Sequence, residues 1–112
     1  MKDYSEKRQY KRYDHNTSLY LYEDEPQDKD KDNYSCANMS GYSSGGMSFR
    51  TNEKLKIGQQ VYIKTKYHDE KSTGPEKYTE YSGYIKWSDE LGTSIPGGQY
   101  GYGIQYAKPV YY

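Results

Sequence analysis

Leu19 and Leu21 alternate with Ser18, Tyr20 and Tyr22, the period of two that a strand shows when one face is buried and the other is wet. The same period returns along the chain. Tyr34 to Tyr42 reads as a second strand, and Met47 and Phe49 alternate with Ser48 and Arg50 in a third. Val61, Ile63, Thr65 and Tyr67 share one parity in a fourth, with Tyr62, Lys64 and Lys66 on the other. Tyr81, Ile85 and Trp87 fall on one parity between Tyr78 and Trp87. In the last strand Tyr100, Tyr102, Ile104 and Tyr106 share a face, opposed by Gly101 and Gly103.

Between these runs the chain is polar or glycine-rich. Glu23 to Asn33 has no apolar residue and one proline, Ser43-Ser44-Gly45-Gly46 and Lys56 to Gly58 read as turns, and His68 to Lys77 and Ser88 to Gly98 read as loops. No segment carries a convincing helical period, which leaves room only for a short helix near either terminus. Six short strands predict an all-β fold, a six-stranded antiparallel β-barrel, because closure removes the edges that a small sandwich would leave unpaired. Residues 1–16 are charged and tyrosine-rich without apolar periodicity. They predict a flexible N-terminal arm, with the barrel occupying 17–112 of the 112 residues as one domain.

Composition refines the core. Apolar residues make up 32% of the chain, and tyrosine, with 17 copies, supplies nearly half of them. Each tyrosine buries a ring while keeping its hydroxyl wet, so the expected core is thin and aromatic-walled. Sixteen basic residues balance sixteen acidic ones, which removes the electrostatic signature of a strong nucleic-acid or membrane-surface binder. No window approaches the ~20 apolar residues of a membrane span, and Met1 to His15 lacks the apolar run of a signal peptide. A cytoplasmic protein with no membrane partner is expected. Cys36 has no second cysteine for a disulfide or a metal set and reads as a small, half-buried strand residue.

Candidate chemistry is sparse. Asp28, Asp30 and Asp32 imitate the start of a calcium loop, but Asn33 and Met39 stand where glycine and glutamate are needed; no metal site is expected. The two histidines, His15 and His68, lie in polar segments far in sequence from Cys36, so no catalytic residue is assigned and the chain reads as a non-enzyme without a cofactor. Two places suit a flat, anionic ligand. Arg8-Gln9-Tyr10-Lys11-Arg12 offers two guanidinium forks, each able to hold a phosphate or the O6/N7 edge of guanine. Gly41-Tyr42-Ser43-Ser44-Gly45-Gly46 offers a hydroxyl and glycines that permit positive φ and close approach.

In this order the two places resemble the PilZ family, whose signature is an Arg-x-x-x-Arg arm followed by Asp/Asn-x-Ser-x-x-Gly. Arg8 and Arg12 match the first element. Ser43 and Gly46 match the second, while its Asp or Asn position is occupied by Gly41. Asn38 lies three residues earlier and points to the opposite face of a regular strand, so only a bulge brings it round. Gly46-Met47-Ser48-Phe49, Ile57-Gly58-x-x-Val61-x-Ile63, Gly83 to Trp87 and Tyr100 to Tyr106 resemble the family's remaining strands.

The resemblance implies a bacterial receptor for cyclic di-GMP that works by binding alone. Arg8, Arg12, Gly41, Ser43 and Gly46 form the ligand site, Gly46 making room, and the arm folds over the ligand to signal through a downstream protein that the sequence does not identify. Tyr10, Tyr13 and Tyr42 are candidates for stacking on guanine. Two other readings stand beside this one. A barrel that has lost its ligand would serve as a protein-interaction module, as Gly41 suggests, and a tyrosine-faced barrel could bind single-stranded nucleic acid, against which the zero net charge argues.

Overall fold

Alternating apolar positions can be buried together only if the strands curl until their inward faces meet. In the computed structural model, which describes residues 13–25, 33–92, 98–108 and 110, they do so in a closed barrel. Its strands are β1 (Tyr13–Tyr22), β2 (Ser35–Tyr42), β3 (Gly46–Thr51), β4 (Gln60–Thr65), β5 (Glu80–Glu90) and β6 (Tyr100–Tyr106), with one turn of 3-10 helix at Pro75–Lys77. The order around the barrel is β1-β2-β3-β6-β5-β4, and every pair is antiparallel. The all-β, six-stranded fold expected from the alternation is therefore the fold observed. The single helical turn among the described residues lies in the β4–β5 connection rather than at a terminus.

Two three-stranded meanders, β1-β2-β3 and β4-β5-β6, are joined along two seams. At one, Leu19 and Leu21 of β1 pair with Thr65 and Ile63 of β4. At the other, β3 pairs with β6 from Gly46↔Gln105 to Thr51↔Tyr100, with Phe49 opposite Tyr102. The interior holds Leu19, Leu21, Ala37, Met39, Met47, Phe49, Val61, Ile63, Ile85 and Ile104. Each large aliphatic or phenyl side chain withdrawn from water contributes about 1.5–3 kcal/mol. Leu55, Tyr81, Tyr102 and Tyr106 complete the cluster, so the core is mainly aliphatic and only partly aromatic-walled.

The buried tyrosines fasten connections to the barrel. The Tyr102 hydroxyl accepts from the Leu55 amide at 2.8 Å and donates to the Glu53 carbonyl at 3.0 Å, pinning the β3–β4 connection. Desolvation raises the Tyr102 phenol above its ordinary pKa, with smaller contributions from its neighbours, and it remains a neutral donor and acceptor. Tyr81 donates to the Pro75 carbonyl and stacks on Tyr106, ring centroids 5.3 Å apart. These bonds answer the need of a buried hydroxyl for a partner.

Several local expectations change. β1 starts at Tyr13 rather than Ser18, because its first half pairs with the end of β2 even though it lacks apolar alternation. β4 stops at Thr65, whose hydroxyl donates to the Tyr78 carbonyl at 2.9 Å, and Tyr67 is exposed beyond it. Cys36 lies on β2 but faces solvent. Trp87 leaves the inward parity: β5 slips register between Ile85 and Trp87, and the indole lies on the outer surface over Gly103.

Phe49 is fully buried against Tyr102 at a ring separation of 5.8 Å. Phe49→Ala should therefore cost about 3–5 kcal/mol through lost burial and the cavity left behind. Urea denaturation followed by circular dichroism measures this loss, and a cost below about 1 kcal/mol would contradict the placement of Phe49 at the centre of the seam.

Candidate functional site

Two irregularities meet at one corner of the barrel. Between β2 and β3 the register runs Met39↔Phe49 and then Gly41↔Ser48, leaving Ser40 as the extra residue of a bulge. Between β1 and β2 it runs Asp14↔Gly41 and then Thr17↔Met39, so β1 also carries an extra residue. The first bulge puts Ser40 and Gly41 together over Ser48. The Ser40 hydroxyl donates to the Ser48 oxygen at 2.9 Å, and a Cβ at position 41 would stand 3.2 Å from the same oxygen and 3.1 Å from the Tyr13 carbonyl. Glycine fits this corner with least disturbance.

A cavity of about 390 Å³ opens over the corner, within the ~300–1,000 Å³ of small-molecule sites. β1 contributes Tyr13 and Asp14, and β2 with its turn contributes Ser40, Gly41, Tyr42 and Ser43. β3 adds Gly46, Met47 and Ser48, β5 adds Trp87, and β6 adds Ile104. Tyr13 and Tyr42 stack with centroids 5.3 Å apart and an angle of 27°. Among the described residues Asp14 is the only charged side chain in the lining.

Gly41, Ser43 and Gly46, singled out from the sequence, are thus brought together, and Tyr13, the residue following Arg12, stands beside them. Arg8, Tyr10 and Arg12 lie outside the described residues, as do Asp28, Asp30 and Asp32. Two of the matched residues also hold the fold of the corner. Ser43 shapes its own turn: its oxygen accepts from the Gly45 amide at 3.2 Å, and its amide donates to the Gly46 carbonyl at 2.8 Å. The turn is held from outside by Tyr106, whose amide donates to the Gly45 carbonyl, and by Val110, whose amide donates to Ser44, both at 2.8 Å.

Gly46 makes room for β6, since a Cβ there would overlap the Ile104 carbonyl. Positive φ among the described residues occurs at Gly58, Gly92 and Gly98 and plays no part in this turn.

The β2 bulge that Asn38 would need is present. Asn38, beside the inward-facing Ala37 and Met39, shares the outer face with Ser40 and Gly41. It does not line the cavity, however; it pairs with Arg50 of β3 and lies 3.5 Å from the Ser18 hydroxyl. Arg50 was missed by the sequence reasoning, as were Asp14, Ser40, Ser48 and Trp87. It occupies the next outward position after Ser48, and its Nε is buried without a hydrogen-bond partner among the described residues.

One ion pair braces the corner from behind. His15 Nε2 lies 2.7 Å from Glu76 Oε2, joining β1 to the 3-10 turn, and the imidazole meets the Tyr42 ring edge-on at 5.7 Å. His15 is therefore a half-buried strand residue and not a loose surface histidine. Burial pushes the Glu76 carboxyl up, but the hydrogen bond from His15, a backbone amide, the charge of His15 and the Thr17 hydroxyl together hold it below its ordinary pKa. Tyr42 is shifted upward by desolvation first, then by Tyr13 and Glu76, and keeps its proton at neutral pH.

A family model for the PilZ domain matches residues 6–110. The chain belongs to the PilZ domain family. Members of this family are receptor and adaptor modules for cyclic di-GMP. The solved structure of the Bacillus subtilis inhibitor of motility, MotI/DgrA, is similar to this PilZ domain with a TM-score of 0.62 at 13% identity. The similarity covers 92% of this chain and 44% of that one, so this chain spans less than half the length of the structure it resembles. No curated protein matches the sequence. Among the described residues no helix is long and apolar enough to cross a membrane.

The Glu76 shift fixes a pH dependence. A carboxyl whose folded pKa lies below its unfolded value adds stability that is full above the unfolded value and is lost as pH falls through the folded one. Glu76→Gln should thus lower stability at neutral pH by at most about 1 kcal/mol, the pair being partly wet. The gap to wild type should close as pH drops below the ordinary value of 4.5. Urea midpoints measured across that range check this, and a gap independent of pH would contradict it.

Proposed function

We propose that this PilZ domain is a receptor for cyclic di-GMP that binds the ligand over the bulged corner and signals through a partner protein. One observation carries the reading: Gly41, Ser43 and Gly46 share a single cavity with Tyr13, which directly follows Arg12. In this reading Arg8 and Arg12 hold phosphate and the guanine edge with charge-assisted, bidentate hydrogen bonds. The rings at the corner and the hydroxyls of Ser40 and Ser48 supply stacking and polar contacts. Arg50 adds a guanidinium to the same face, with an N–H that no described acceptor takes.

Binding would bring the segment that precedes β1, with Arg8 and Arg12, over the cavity, and that segment together with the ligand would form the surface that a partner protein reads. The module performs no chemistry on the ligand.

Calorimetric titration of cyclic di-GMP, with GTP as control, tests the reading. Wild type should bind at micromolar concentration or tighter, and Arg8→Ala or Arg12→Ala should weaken binding at least about tenfold, since each hydrogen bond to a charged group contributes ~1.5–3 kcal/mol. Unchanged affinity in both variants would remove the arm from the site. No binding by wild type at millimolar ligand would leave a protein-interaction module in its place.

A further inference from the structure

A carboxylate in the wall of a cavity for an anionic ligand needs a physical reason. Among the described residues Asp14 is the one acidic or basic side chain in this lining, it is exposed, and the strand register sets it directly beside Gly41. An ionised carboxylate accepts hydrogen bonds and donates none, and it repels phosphate. It therefore matches only a part of the ligand that presents donors. The Watson–Crick edge of guanine presents two adjacent ones, the ring N1–H and the exocyclic N2 amino group, whereas the adenine edge pairs a single amino donor with a ring acceptor that a carboxylate repels.

We infer that Asp14 is the base-selecting residue of the cavity, taking the N1–H and N2–H of guanine in a bidentate pair and so excluding adenine. This rests on the nucleotide reading above and adds the residue that decides which base is admitted. Position 41 is badly placed to carry such a group, because a Cβ there would press on the Tyr13 carbonyl and the Ser48 oxygen. The adjacent strand supplies the carboxylate instead, from a residue whose exposure lets it be exchanged without disturbing the core. Tyr13 and Trp87 border the same space and offer ring faces to a base whose edge is held in this way.

The test compares cyclic di-GMP with cyclic di-AMP by calorimetry on wild type, Asp14→Ala and Asp14→Asn, with circular dichroism confirming that the variants fold. Wild type should prefer the guanine ligand. Asp14→Ala should weaken cyclic di-GMP at least about tenfold, as expected for the loss of a charge-assisted pair, and narrow the preference. Asp14→Asn, whose amide both accepts and donates, should gain affinity for cyclic di-AMP while losing it for cyclic di-GMP, a change of selectivity that a merely structural role would not produce. If wild type binds cyclic di-GMP and both variants keep its affinity and selectivity, the assignment of Asp14 is overturned while the receptor reading stands. If wild type binds neither dinucleotide, the receptor reading fails and the selector fails with it.

Discussion

The β3–β6 seam is the constraint on which the rest of the structure depends. Each meander alone would expose an apolar face and two unpaired edges to water. Joining β3 to β6 pairs the last edges and brings Phe49 against Tyr102. The approach is close enough that position 46 cannot carry a side chain beside the Ile104 carbonyl. The same seam fixes the turn after β2, because the amide of Tyr106 holds the Gly45 carbonyl. The geometry of the candidate site is thus a by-product of barrel closure: the turn that borders the cavity sits where the strand leaving it must meet β6.

A mean hydropathy of −1.32 would suit a disordered chain, yet the barrel closes around a small aliphatic centre. Tyrosine reconciles the two. Its ring adds apolar area at the ends of the barrel, and its hydroxyl satisfies loop groups that would otherwise be stranded, as Tyr102 does for Leu55 and Glu53. The polar connections are tied to the core by the residues that also seal it, so a loop can be charged without being detached.

The strand pattern was legible because parity is a local property of side chains. Leu19, Leu21, Met47, Phe49, Val61, Ile63, Tyr102 and Ile104 all face inward as their alternation requires. The bulges were not legible, because an extra residue in a ladder is a property of two strands in register and leaves no mark on one of them. That is why Trp87 was assigned to the wrong face and why Asp14, in a stretch without apolar alternation, was taken for part of an arm. Glycines hide a different kind of information: Gly46 matches a binding motif, and its missing side chain also serves the packing of a neighbouring strand. Ser43 borders the cavity, and its engagement within its own turn required the backbone to be seen.

The slipped register that turns Trp87 outward has a further consequence. The chain contains one tryptophan, and it stands at the mouth of the cavity over a glycine, far from the sealed interior. Excited beyond the absorption of the 17 tyrosines, it emits from this one corner alone. The domain thus carries a built-in optical reporter whose colour and intensity follow the wetness of its binding surface, and a change there can be read without attaching any dye.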